Sequence, residues 1–139
     1  MSTETNKAQF RRTLEAMFNK GDLDLVDELV APDFLNHDVP PGMNNRGPET
    51  MRQLVTMLRT AFPDLHFTIE ELVAEGDTVA GRVTMRGTHL GPFQGKPATG
   101  RSFEQAHMHF VRFRECKAIE HRAVRDDLGM MRQLGVISE

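Results

Sequence analysis

The spacing of apolar residues changes once along this chain, from a helical period to a period of two. Phe10, Leu14, Met17 and Phe18 recur at three and four, which places them on one helical face. Gly21 ends that helix. Asp22 caps a short second one that turns Leu25, Val26, Leu29 and Val30 inward. Pro32 then marks a break, and Phe34 to Asp38 reads as a short extended or irregular piece. Val39 to Gly47 is a loop rich in Pro, Gly and Asn. Pro48 suits the first position of a third helix, with Met51, Leu54, Val55, Leu58 and Phe62 on its inner face and Pro63 ending it.

From here the alternation is that of strands. Phe67 to Ala74 and Thr78 to His89 flank a turn at Glu75-Gly76-Asp77. Gly91 to Gly100 holds three Gly and two Pro and forms a long hairpin loop. Arg101 to Arg114 is a third strand, and a turn to Lys117 leads into a fourth, Ala118 to Val124. Asp126 or Asp127 caps a last helical turn, Leu128 to Leu134, which Gly135 ends. Helices followed by a four-stranded antiparallel meander imply an α+β fold with helices on one sheet face. Gly81 and Gly87 are bulge-prone positions at which long strands curl. A curled sheet closed by helices is a cone with an interior.

Composition narrows the possible roles. At 139 residues the chain makes one domain, taken here as 1–139. The net charge of −3 and the scattering of the arginines supply no basic field for nucleic acid. No apolar run is long enough for a bilayer, and Met1 to Lys7 lack a signal-peptide core, so no membrane partner and a cytoplasmic location are expected. The one cysteine, Cys116, forms no intramolecular disulfide and lies in an expected exposed turn. Trp and Tyr are absent, while nine Phe and nine Met are available to fill a core or line an apolar cavity.

The third strand carries the chemistry. Phe103, Gln105, His107, His109, Val111 and Phe113 share one face, so three polar groups are bracketed by apolar ones. A small-molecule pocket has that mix, and imidazole moves protons near neutral pH. The competing reading is one solvent-exposed histidine and one core histidine. Asn36-His37-Asp38 offers an amide, an imidazole and a carboxylate, either to orient a carbonyl or to make local turn hydrogen bonds; for Asp38 the turn role is favoured. His107, His109 and His121 are a conceivable zinc set, but no carboxylate motif accompanies them and no metal is expected. No Gly-x-Ser-x-Gly elbow is present, and the glycines near Gly95 lead into a strand rather than a helix, unlike a phosphate-binding loop.

Pro32-Asp33-Phe34-Leu35-Asn36-His37, Glu104-Gln105-Ala106-His107-Met108-His109, Glu120-His121-Arg122 and the tail from Asp126 to Arg132-Gln133-Leu134-Gly135 resemble the SnoaL-like polyketide cyclases. The resemblance runs over nearly the whole chain and implies the NTF2-like cone and a homodimer. It also implies a ring-closing intramolecular aldol reaction on a polyketide ester, with no cofactor or metal. The family histidine falls on His109, a third-strand glutamine on His107, and a substrate-positioning asparagine on Asn36. The family's acid/base aspartate falls on Ala123, whose methyl takes no proton. The expectation is therefore acid/base chemistry by His109 and His107 on a small apolar carbonyl compound, with Asn36, Gln105, His121 and Ala123 around the substrate. A binding module that has lost the reaction, and a hydroxylase- or hydrolase-type relative using Asp38 or Asp64, are the alternatives.

Overall fold

The computed structural model describes residues 2–137. Its first helix, α1, runs Thr3–Arg12, capped by Ser2, and continues without a break into a π-helical stretch, Thr13–Phe18. Such widened turns often sit at functional sites, and here Thr13, Leu14 and Phe18 all reach a cavity. Asn19 then fastens the helix end to the sheet: its amide donates to the Phe67 carbonyl at 3.0 Å and accepts the Phe67 N–H at 2.7 Å. Asp22 caps the single 3-10 turn Leu23–Leu25, which leads into α2, Val26–Leu29. The long α3 spans Pro48–Ala61 with Pro48 in its first turn.

The sheet has five strands: β1 Val30–Asn36, β2 His66–Glu75, β3 Thr78–Thr88, β4 Ser102–Arg114 and β5 Lys117–Arg125. The order is β1-β5-β4-β3-β2. The last four form the antiparallel meander expected from sequence. The expectation of four strands is corrected by β1, which pairs parallel to β5. Pro32 therefore lies inside a strand instead of breaking the chain, and Val30 begins that strand instead of ending a helix. The edge position is what tolerates the proline, because the outer side of an edge strand needs no N–H donor. The register shifts between Val30 and Leu35 accommodate it. The closing helix α4, Asp127–Leu134, is capped by Asp126 and ended by Gly135 in the left-handed conformation.

Gly81 and Gly87 do not bulge: β3 runs in unbroken register with β4. Irregularities fall between Ile69 and Glu71 and between Arg112 and Phe113 instead. The two glycines allow helices to approach. A Cβ at Gly81 would meet Phe10 Cζ at 2.6 Å, and one at Gly87 would meet Phe62 Cβ at 2.9 Å. The core lies between the helices and the concave face, centred on Phe34, Phe62, Met17 and Leu29. Burying each such side chain contributes roughly 1.5–3 kcal/mol.

Candidate active site

Alternation along β4 sends Phe103, Gln105, His107, His109 and Phe113 into the core, each buried, with Val111 half-buried beside them. No bulge interrupts β4 between Phe103 and His109, so the sequence parity holds. The partner strand β5 adds His121 from the same side, and β1 adds Asn36 beside its register partner His121. The polar groups among them, Asn36, Gln105, His107, His109 and His121, lie in the wall of a cavity of about 320 Å³. Most of the remaining wall is apolar, with Phe10, Phe18, Phe34, Met51, Met57 and Met130 among its residues. The loops contribute Val39, Pro40 and Pro41 from one side and Phe93 and Gln94 from the other.

The polar groups form one continuous chain. Asn36 Oδ1 faces His121 Nδ1 at 2.8 Å, and His121 Nε2 faces His109 Nδ1 at 2.8 Å. His109 Nε2 faces His107 Nδ1 at 3.0 Å, and His107 Nε2 faces Gln105 Oε1 at 2.7 Å. Gln105 Nε2 donates to Asp127 Oδ1 at 2.9 Å. The ring nitrogens thus bond in series, each to the next. Aromatic edges enclose the chain: Phe67 meets His107 at 5.8 Å and Phe10 meets His109 at 6.4 Å between ring centroids.

Burial sets the charge of these rings. It pushes His107 down to about 4, with the charge of His121 acting in the same direction. It pushes His109 down to about 3, and His107 adds to the effect. His121 falls to about 3 through burial, then through His109 and His37. All three rings therefore rest neutral at neutral pH, the state in which imidazole accepts a proton.

A second polar group stands beside the chain. Arg125, the β5 register partner of His107, forms an ion pair with Asp38 in the cavity wall. Burial lowers the Arg125 guanidinium, while the nearby Asp127 carboxylate acts to raise it. Asp127 also lines the cavity.

The structure brings Asn36, Gln105, His107, His109 and His121 together. Ala123 is the register partner of His109, yet it is not among the residues that line the cavity. His37 turns away from the cavity to bond Glu120 at 2.7 Å, and Asp64 caps the start of the hairpin loop through the Thr88 N–H and hydroxyl, both at 2.7 Å. Asp38 does reach the cavity. Its backbone N–H makes the expected local bond to Asn36 Oδ1, while its carboxylate pairs with Arg125. Sequence reading did not place Arg125 or Asp127 here. The parity of β5 carried a signal for Arg125, which shares a face with His121. For Asp127, the signal was two adjacent acids at a helix start where one suffices as the cap.

Comparison with known proteins adds identity to this geometry. A family model described as SnoaL-like polyketide cyclase matches residues 8–134. The aklanonic acid methyl ester cyclase DnrD of Streptomyces peucetius is 36% identical over 140 residues, covering 97% of this chain and 92% of that protein. The nogalonic acid methyl ester cyclase of Streptomyces nogalater is 35% identical, covering 85% of this chain and 89% of that one. Among solved structures, IdmH of Streptomyces antibioticus, described as a putative polyketide cyclase, aligns with a TM-score of 0.80 at 36% identity over 94% of this chain and 98% of its own. TsrD of Streptomyces laurentii aligns with a TM-score of 0.90 at 29% identity over 99% of both chains. These matches agree with the α+β cone expected from the helix-then-meander order, and this chain belongs to the SnoaL-like polyketide cyclase family.

Proposed function

We propose that this protein is a cofactor-free cyclase that enolises a polyketide ester and closes a ring by an intramolecular aldol reaction. One observation carries the reading: an unbroken chain of neutral imidazoles in the wall of an apolar cavity. His109, with His107, takes a proton from the carbon beside a carbonyl, and the carbon keeps the electron pair as an enolate. The enolate attacks a second carbonyl within the same molecule, and the alkoxide that forms takes the proton back. Among the described residues the Asn36 Nδ2 donates to no protein acceptor, so its N–H groups are available to a substrate oxygen. His121 and Gln105 hold the two imidazoles in line. Ala123, the register partner of His109, stands where the family pattern has a carboxylate and takes no proton.

An esterified substrate fits the charge of the cavity. Among its described lining residues Arg125 is the one Lys or Arg, and Asp38 already neutralises it. A free carboxylate would find no unpaired cation there, whereas a methyl ester needs none. The curated relatives are named for methyl esters.

The test is solvent deuterium exchange into a panel of β-keto esters and polyketide-like aromatics, followed by NMR. Wild type is expected to exchange the carbon-bound proton, and His109→Gln to lose about 100-fold or more of that rate. Ligand-induced shifts without any exchange would replace the cyclase with a binding module.

We also propose a homodimer formed through the outer sheet face, where Met108 and Phe110 are exposed, and a cytoplasmic location, for which the lone Cys116 is suited. The structure contains no helix long and apolar enough to cross a membrane, among the described residues.

A further inference from the structure

Two amides fix how many protons the imidazole chain holds. Asn36 Oδ1 accepts the Asp38 N–H at 2.9 Å, so an oxygen, not an NH2, faces His121. At the other end the Gln105 NH2 donates to Asp127, so an oxygen faces His107. A carboxylate only accepts, which settles that orientation. The chain therefore ends in an acceptor on both sides. Between those ends lie four contacts made by the ring nitrogens of three histidines. Each contact needs one N–H, and a neutral imidazole supplies one. Three neutral rings fill three contacts and leave the fourth with two lone pairs facing each other. One added proton fills it.

We propose that Asp127 is a positioning residue: by holding the Gln105 oxygen toward His107, it leaves the neutral three-histidine chain one proton short and makes that chain the proton acceptor of the pocket. The inference rests on the acid/base reading above and names the residue that enforces it. The proton leaves the substrate carbon, the carbon retains the electron pair, and the proton closes the open contact. It returns to the alkoxide after the carbon–carbon bond forms. Because the rings are bonded in series, the proton belongs to the set and not to one ring.

The opposite amide orientation would abolish the deficit. With Gln105 turned, its NH2 donates to His107 Nε2, and each ring donates onward toward Asn36. All four contacts are then filled with every ring neutral, and no fourth proton is called for. Asp127 is free for this role because the helix cap is Asp126, which accepts the Gly129 N–H. The other charged or titratable groups near the chain are the Asp38–Arg125 pair and, behind His121, His37 bonded to Glu120. From α1 and β2 the chain meets Phe10 and Phe67, which carry no charge.

The experiment is nitrogen-15 NMR of histidine-labelled full-length protein across pH. In wild type, His107 is expected mainly as the Nε2–H tautomer, which three of the four positions of the open contact require, and the three rings are expected to take up their first proton together. Asp127→Asn lets Gln105 turn, because an amide both donates and accepts. His107 should then shift to the Nδ1–H tautomer, and the shared midpoint should fall by about one pH unit or more. Asp127→Glu should keep the wild-type tautomer. Adding Gln105→Glu to Asp127→Asn should bring the midpoint back to the wild-type value or above it, since either orientation then presents an oxygen to His107 and the carboxylate charge favours the protonated ring. An Asp127→Asn protein that is folded by circular dichroism but has an unmoved tautomer and midpoint overturns the proposal. The readout needs no substrate, so it is separate from the exchange assay, whose failure in wild type would overturn the cyclase reading instead.

Discussion

At the scale of single residues, the site depends on keeping three imidazoles uncharged, and this has a cost in acid. An imidazole in an unfolded chain takes up its proton near pH 6.5. In the folded protein burial delays that step to about 4 for His107 and about 3 for His109 and His121. Between these limits the unfolded state binds more protons than the folded one, so stability rises with pH there and falls as pH is lowered. The stability contributed by neutral burial is complete above about pH 6.5 and is lost on the way down to about pH 3. Each ring contributes a slope of up to about 1.4 kcal/mol per pH unit. Urea unfolding from pH 7 to 4 is expected to show a steady fall in midpoint, and the fall should be shallower in a His121→Gln variant. A midpoint independent of pH over that range would mean that the rings are not buried neutral. His107 and His109 were legible because strand parity and the family resemblance both pointed to them, and Asn36 because the resemblance and the Asn36-His37-Asp38 cluster did. The link from Gln105 to Asp127 was not, because it joins two elements 22 residues apart through a side chain that sequence reads as a helix cap.

At the scale of elements, the helices and the meander follow from periodicity and turn residues, and they formed where those signals fell. The strand β1 escaped for physical reasons. It contains Pro32, its inner residues Phe34 and Asn36 span only a few positions, and its pairing to β5 is parallel and remote in sequence. Nothing local announces such a pairing. The glycines of β3 were visible as special positions, but their reason lay in the layer above. Gly87 shows this. An added Cβ would lie 2.9 Å from Phe62 Cβ and 3.3 Å from the Phe103 ring. Phe62 is fully buried at the end of α3, and its ring packs on Phe93 and Phe103 at 5.0 and 4.7 Å. Its Cβ is close to the backbone and has little room to yield. Gly87→Ala is therefore expected to destabilise the protein by about 1–3 kcal/mol, the usual cost of overpacking. Chemical denaturation would show it as a lower midpoint at unchanged slope. A wild-type midpoint would mean that α3 moves away from the sheet without penalty.

At the scale of the whole molecule, the two faces of the sheet have divided roles. The concave face encloses the cavity; the outer face is left with large apolar side chains in water. Met108, Phe110 and Val124 are 55%, 56% and 75% exposed. The strand register makes them neighbours, since Met108 pairs with Val124, and Phe110 continues through Ala80 to Val73. Val73 is itself 57% exposed. The strip is bordered by ion pairs, Arg82 with Glu71 and Arg112 with Asp77 and Glu120. An apolar centre inside a charged rim is the layout of a protein interface. A second copy related by a two-fold axis would lay the same strip upon itself. Light scattering on purified protein is expected to give twice the chain mass. Phe110→Asp would set like charges opposite each other across the axis and should yield monomers with an unaltered circular dichroism spectrum, because the side chain has no role in the core. A wild-type monomer at micromolar concentration would overturn the dimer and leave the exposed strip without an assigned partner.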